Sequence, residues 1–436
     1  MAQKNIRWLL RELPSLVGDG VLDGGAAERL RSHYADLAAS RRNWALTIFG
    51  ILGGGLVGLG VILLLAHNWS GMPRPVRTLL SIAPLLCAQC LAGWGLLRGK
   101  QSTSWRETVA ILWTLSIGAS TALVAQTYHI SGSASQFALT WMLFTIPVVY
   151  LLNATSPALI YLAGIIWWAM EAAHGSHSEW WLWPLLALVV PHTMQAVRGN
   201  PYRTRPVLLL WGYAIALCFA VPLLFENNLD NLWVPVFCGL FGCYYLVGTF
   251  WFDDSPSVWQ KPFVLIGSLA STLFAFVFAS EAPWREVRWY VSYSNHQFGY
   301  FSLYDALAAL PVIAVIMLLV SCVRRGKTGA MLLGAMPILA TLGYVLSARP
   351  QWTLVTVIVF NIYVFALGAQ RLVIGFKSMR VGMVNTGILL IFALIILRFF
   401  DTEMSFVARG IVFVILGVAF LVTNVVLARR KTDESS

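Results

Sequence analysis

Apolar runs long enough to form membrane-spanning helices recur along almost the whole chain. A helix of about 20 apolar residues crosses the roughly 30 Å hydrocarbon core of a bilayer. The chain is 58% hydrophobic and 11% charged, whereas a soluble domain has about 25% charged residues. Such a chain cannot bury its apolar surface in a water-soluble core, so the bilayer must act as its solvent. The sequence therefore predicts an all-α, polytopic integral membrane helix bundle.

We count about fourteen apolar runs from residue 44 onward and expect each to form a transmembrane helix. Several runs are close to the ~17-residue minimum for a spanning helix. The region 137–197 is the least regular, and re-entrant or half-length helices are the alternative there. The approximate bounds of the runs are 44–65, 77–97, 107–126, 137–152, 157–173, 180–197, 206–225, 232–251, 262–280, 304–323, 329–346, 351–369, 382–399 and 408–428.

The positions of the basic residues predict the orientation of the bundle. The chain has 30 Lys and Arg residues and a net charge of +11. With both termini in the cytoplasm, 23 of these 30 residues fall in inner segments and seven in outer ones. Such an asymmetry is the orientation signal of a multi-pass membrane protein. Because the basic residues are dispersed over short loops, we do not expect nucleic-acid binding.

The chain divides into a polar N-terminal segment and the membrane part. Residues 1–43 have the apolar spacing of two short amphipathic helices, and we expect a cytoplasmic helical head that contacts the membrane surface or a protein partner. Residues 44–431 form the predicted bundle, and 432–436 a polar tail. The first apolar run has the length of a spanning helix, not of a cleavable signal segment.

Polar side chains concentrate at the predicted outer face. The stretch "AHNWSGMPRPVR" places His67, Asn68, Trp69, Arg74 and Arg77 between two apolar runs. It forms either an ordinary turn, with Trp69 in the aromatic belt and the arginines on lipid phosphates, or one wall of an outward-facing polar cavity.

Two further stretches emerge on the same predicted face. "AQTYHISG" contains Gln126, Tyr128 and His129, which are either helix-end residues or part of a polar site. "LRFFDTEMSFVARG" contains Arg398 and Asp401, spaced so that they pair on one helix face. That pair is either an interfacial salt bridge or an anion-binding arginine held by its aspartate.

The outer segment 281–303 is rich in Trp and Tyr and predicts an interfacial segment, such as a short helix in the headgroup layer. His174 and His177 have a spacing compatible with metal binding, but two histidines in a Gly/Ser loop favour an ordinary loop. No nucleotide-binding or hydrolase motif is present. We expect no cofactor and no metal.

Four stretches carry a resemblance to a known family. They are "GVLDGGAAERLRSHY", "GVILLLAHNWSGMPRPVR", "QTYHISG" and "RFFDTEMSFVARGIVFVILGVAFLVTNVVLARR". They resemble bacterial membrane proteins called domain of unknown function 2157, most clearly over residues 15–150 and 382–431. In that family the first loop tends to read Ala-Asn-Trp, and here His67 departs from the pattern. The resemblance implies a multi-spanning protein of the bacterial inner membrane with a short cytoplasmic head. It does not indicate any particular activity.

Three functions fit these observations. We favour a transporter or exporter with an outward-facing polar site for an anionic or lipid-like substrate, because many spans and short loops are typical of transporters. The second is a membrane enzyme acting on a lipid-linked substrate at the outer leaflet, which would need a carboxylate or metal near a histidine. The third is a non-catalytic sensor or assembly component that acts through the head. The sequence favours a non-catalytic role over an enzyme.

Overall fold

The computed structural model describes most of the chain in eight segments and two isolated residues. The chain forms two compact units, residues 1–82 and 83–436. The described residues are 12–30, 69–99, 102–172, 179–225, 229–252, 257–293, 303–347, 349–401, 414 and 418.

In the first unit, residues 12–18 and 24–30 are helical. The turn between them contains Gly20 at a φ of 71°, a left-handed conformation that glycine adopts without a steric penalty. The boundary predicted between residues 43 and 44 lies outside the described residues and stays a prediction. Helix α1 (Arg74–Leu97) begins in this unit, directly after Pro73, as the paired prolines predict.

The second unit consists of helices joined by short connections, and its described residues contain no strand. The helices are α2 (Thr103–Tyr128), α3 (Ala134–Leu152), α4 (Ser156–Ala172), α5 (Leu182–Ala187), α6 (Val190–Gly199), α7 (Thr204–Leu223), α8 (Leu229–Trp251), α9 (Pro262–Phe278), α10 (Ala282–Tyr293), α11 (Leu303–Arg324), α12 (Met331–Gly334), α13 (Met336–Ser347), α14 (Thr353–Lys377) and α15 (Val381–Asp401).

The prediction of a helical membrane bundle is confirmed. Within the described residues, nine helices are long and apolar enough to span a membrane, or ten if α9 and α10 are counted as one bent span. The predicted count of about fourteen is not confirmed, because the runs 44–65 and 408–428 fall almost entirely outside the described residues. Two further runs form shorter elements: α4 has 17 residues, and 180–197 is divided between α5 and α6.

The two largest of five apolar clusters among the described residues make up most of the core of the second unit. Residues of α3, α4, α5 and α7 share one core, which includes the buried side chains of Tyr161, Ile165 and Leu209. Residues of α8, α9, α10, α11, α13 and α14 share another, which includes Trp284 and Phe360. Helices α8 and α9 approach closely because position 267 is glycine: a Cβ there would lie 2.4 Å from the backbone nitrogen of Tyr245.

Helix α10 turns away from α9 by 85° and contains part of the predicted interfacial segment. Trp284 fixes this bend, since its indole is fully buried and its Nε1 donates to the Phe278 carbonyl over 2.8 Å. Its ring packs on Phe278 and Phe360 at centroid distances of 4.7 and 5.6 Å. The opposite face of α10 carries Trp289, which is 57% exposed. The segment is therefore an amphipathic helix over the residues described.

Candidate functional site

The helix between α4 and α7 is interrupted at Leu188 and Val189, which separate α5 from α6. Pro191 gives a local reason for the interruption. It has no N–H to donate to the carbonyl of Ala187, and its ring would collide with that carbonyl in a continuous helix. Inside a bundle of apolar helices, the polar backbone groups near such an interruption need partners from neighbouring elements.

Three tyrosine hydroxyls from three different helices donate to carbonyl oxygens at the interruption. The helices are α3, α4 and α7. The bonds join Tyr161 to Leu185 over 2.8 Å, Tyr213 to Leu186 over 3.0 Å, and Tyr150 to Leu188. The interrupted segment is thus held by side-chain hydroxyls, which can exchange partners at low cost because a hydroxyl rotates and both donates and accepts.

His192, in the first turn of α6, continues this set of polar groups. Its Nε2 lies 3.1 Å from the Arg205 guanidinium, which can only donate, so Nε2 accepts and Nδ1 carries the proton. The Ala154 carbonyl is the hydrogen-bond partner on the other side of the ring. Because Nε2 accepts from the guanidinium, His192 is a neutral imidazole in this arrangement.

Arg205, in the first turn of α7, also donates to Asn153 Oδ1. Asn153 connects α3 to α4 and has a φ of 48°, a left-handed conformation that asparagine adopts more readily than most residues. The Arg205 Nε is buried and has no hydrogen-bond partner among the described residues. The bond to Asn153 ties the beginning of α7 to the beginning of α4.

Glu107, in the first turns of α2, completes the arrangement. Its carboxylate accepts the backbone N–H groups of Thr155 and Ser156 over 2.7 and 2.8 Å, and the Ser156 hydroxyl. These N–H groups belong to the N-terminus of α4, where a negative charge stabilises the helix dipole. Glu107 therefore caps a helix to which it does not belong.

We call these residues the inner polar chain, because they lie toward the end of the bundle predicted to be cytoplasmic. It offers a half-buried cation, exchangeable hydroxyls and the positive end of the α6 dipole, a combination that suits an anion. Sequence patterns do not reveal this chain of residues, because its members are separated by as many as 106 positions and no motif joins them. The one local signal is Pro191-His192 after an irregular apolar run. The members are Glu107, Tyr150, Asn153, Tyr161, His192, Arg205 and Tyr213.

The structure describes part of the first predicted outer stretch. Trp69 begins a short 3-10 turn, and Arg74 is exposed at the start of α1. The Arg77 Nε donates to the Met72 carbonyl over 2.8 Å, so Arg77 helps to close this turn. His67 and Asn68 lie outside the described residues. The interpretation of this stretch as one wall of a site stays a prediction.

The second stretch forms the C-terminal end of α2. Gln126, Tyr128 and His129 are exposed at the surface of the bundle. His129 is the C-cap residue with a φ of 53°, and the next residue, Ile130, donates its N–H to the Ala125 carbonyl. This arrangement gives His129 a structural role as a left-handed helix cap.

Arg398 of the third stretch lies in α15, where its Nε donates to Asn361 Oδ1 over 2.7 Å. The Asn361 Nδ2 in turn donates to the carbonyls of Ala279 and Val357 over 2.9 and 2.7 Å. Arg398 is thus tied through α14 to the bend between α9 and α10. The side chain of Asp401 lies outside the described residues, so its predicted pairing with Arg398 stays a prediction.

The predicted site residues of the second unit belong to different packing groups. Helix α2, which ends at His129, packs against α3 and α4. Helix α15, which carries Arg398, packs against α14. Their convergence into one outward-facing site is a prediction that these contacts leave untested. The His174 and His177 pair also lies outside the described residues.

Part of the chain matches one known protein family. Residues 14–158 match the family of predicted membrane proteins DUF2157. The match confirms the resemblance over the N-terminal third and covers Glu107, Tyr150 and Asn153 of the inner polar chain. His192, Arg205 and Arg398 lie beyond the DUF2157 match. No curated protein and no solved structure matches the chain.

Proposed function

We propose that this multi-pass membrane protein transports a small anionic solute, and that the interrupted segment of α5 and α6 forms the inner part of the path. The observation that carries the proposal is the set of three tyrosine hydroxyls on the carbonyls of an interrupted helix. Transporters bind their substrates at discontinuous helices whose freed backbone groups and helix ends face the solute. Irregular backbone inside a membrane persists where it is buried in protein or lines a water-filled cavity.

The charges beside the interruption favour an anion over a cation. Arg205 and Arg106 act on one another electrostatically, and Glu107 offsets one of their two positive charges. His192 stays neutral and accepts from Arg205, which orients the guanidinium. An entering anion would accept hydrogen bonds from the tyrosine hydroxyls, which release their backbone carbonyls in exchange.

The outer end of the path is a separate part of the proposal. Arg398, held by Asn361 at the bend between α9 and α10, is our candidate for an anion-binding residue there. We place the protein in a bacterial inner membrane with both termini cytoplasmic, on the support of the basic-residue asymmetry. An enzyme has less support, because the carboxylate of Glu107 is engaged in capping α4, and His192 contacts an arginine.

The proposal is tested with purified protein in proteoliposomes. Uptake of labelled phosphate, sulfate and small mono- and dicarboxylates is measured for the wild type, for a Tyr161→Phe/Tyr213→Phe variant, and for Tyr304→Phe as control. Tyr304 lies in α11 and packs on Phe225, away from the interruption. We expect one class of anion to accumulate, and the double variant to lose at least about tenfold in rate, as removal of two hydrogen bonds of about 1 kcal/mol each implies. Equal rates for both variants, or no uptake above empty vesicles, would contradict it.

A further inference from the structure

An apolar groove runs between α4 and α7 on the surface of the bundle. Its volume is about 360 Å³, and its lining is entirely apolar. Leu159, Ala163 and Ile166 line one side, and Gly212, Ala216 and Phe219 line the other. Ala163 and Phe219 are exposed, so the groove opens toward the surroundings of the bundle. Gly212 allows the close approach, because a Cβ there would lie 2.6 Å from Leu159 Cδ2.

Arg205 lies on the same face of α7 as this groove. Gly212, Ala216 and Phe219 follow it by seven, eleven and fourteen residues, spacings that return to nearly the same face of an α-helix. At 1.5 Å per residue, the groove extends from about 10 to about 21 Å beyond Arg205. One leaflet, from headgroup to midplane, has a depth of roughly 21 Å. The groove and Arg205 together therefore match the length of one lipid.

The polar end of the groove carries a net positive charge. The bond of Arg205 to Asn153 closes the seam between α4 and α7 below the groove. Arg205, Arg106 and Glu107 act on one another and sum to one positive charge. Arg205 Nε is a buried donor with no partner among the described residues. The side chain of Arg205 as a whole is half-buried, and a phosphate oxygen that reaches its accessible part would accept a charge-assisted hydrogen bond.

We infer that the groove and Arg205 bind one anionic phospholipid of the inner leaflet, with an acyl chain in the groove and the phosphate at the guanidinium. Basic pockets between transmembrane helices at the cytoplasmic side bind anionic headgroups, and an apolar groove leading to one holds the chain. The inference stands on the groove and the charge alone and does not depend on transport.

The test is native mass spectrometry of the full chain in detergent, titrated with dioleoylphosphatidylglycerol or dioleoylphosphatidylcholine. Two variants address the two parts of the site: Ala163→Leu fills the groove from an exposed position, and Arg205→Gln removes the charge. Each has a matched control. Ala122→Leu changes an exposed alanine of α2, and Arg198→Gln removes an exposed arginine of α6.

We expect one phosphatidylglycerol per wild-type chain, bound about fivefold or more tightly than phosphatidylcholine, since one basic residue at the surface contributes about that factor. Ala163→Leu lowers the affinity for both lipids, Arg205→Gln removes only the preference, and the controls behave as the wild type. If Arg205→Gln does not fold, the affinity of the Ala163→Leu variant for phosphatidylglycerol still tests the inference.

Four results would overturn the inference. The first is equal affinity of the wild type for the two lipids. The second is an Ala163→Leu variant that binds phosphatidylglycerol as tightly as the wild type does. The third is a wild-type dimer that dissociates in the Ala163→Leu variant, because this would assign the groove to a second copy of the chain. The fourth is displacement of the lipid by millimolar glycerol phosphate, because this would assign Arg205 to a free anion.

Discussion

His192 lies buried beside Arg205, and its ring joins the beginning of α6 to the beginning of α7. Its Nε2 accepts from the guanidinium, and the Ala154 carbonyl is the partner on the other side of the ring. A His192→Ala variant loses both hydrogen bonds. We therefore expect it to destabilise the protein by about 1–3 kcal/mol.

The apparent unfolding temperature in detergent at pH 7 checks this expectation. Met194→Ala changes an exposed residue of the same helix and should leave the unfolding temperature nearly unchanged. Equal unfolding temperatures for His192→Ala and the wild type would show that these contacts do not stabilise the segment.

At the same scale, the sequence predicted some functional candidates but not their partners. Arg398 was singled out because an arginine at membrane depth needs a partner. It bonds to Asn361, 37 positions away, a partner that sequence reasoning did not propose, and the predicted pairing with Asp401 stays a prediction. Helical periodicity reveals neighbours within one helix only. The contacts of Glu107 and Arg205, across 48 to 52 positions, depend on packing that periodicity does not encode.

At the scale of an element, the bend at α10 can be tested because the two tryptophans Trp284 and Trp289 of this helix have opposite environments. We expect Trp284→Ala to destabilise the protein by about 3–5 kcal/mol, since it removes a buried ring and its hydrogen bond to Phe278. Trp289→Ala, on the exposed face of the same helix, should change the stability by less than about 0.5 kcal/mol in detergent. Thermal unfolding of the two variants measures the difference, and similar losses in both would contradict the bend as described.

Most of the long helices could be predicted from the sequence, since long apolar runs with few charges have few other stable forms in a bilayer. The interruption at Leu188 and Val189 could not. Among the described residues, helices continue through the prolines that they contain at four positions, which are Pro84, Pro147, Pro235 and Pro311. A proline therefore does not decide by itself where a helix ends. At Pro191 the neighbouring tyrosines supply the partners that stabilise the interruption.

At the scale of the whole molecule, the described part of the bundle contains several apolar clusters, and the inner polar chain lies beside the one shared by α3, α4, α5 and α7. Buried polar groups are costly in an apolar environment, and a bundle held by apolar packing alone has no need of them. Their position around an interrupted helix is what the proposed transport function rests on. That function requires water to reach the interruption from the inner side.

Cysteine accessibility at the interruption tests this requirement most directly. In a chain whose six native cysteines are replaced, Leu188→Cys is compared with Leu143→Cys in the middle of α3. The two leucines are 42% and 46% exposed, so packing alone does not distinguish them. In sealed inside-out vesicles, a membrane-impermeant charged thiol reagent should label position 188 and leave position 143 unlabelled. Labelling of neither position, or of both equally, would contradict an aqueous path to the interrupted helix.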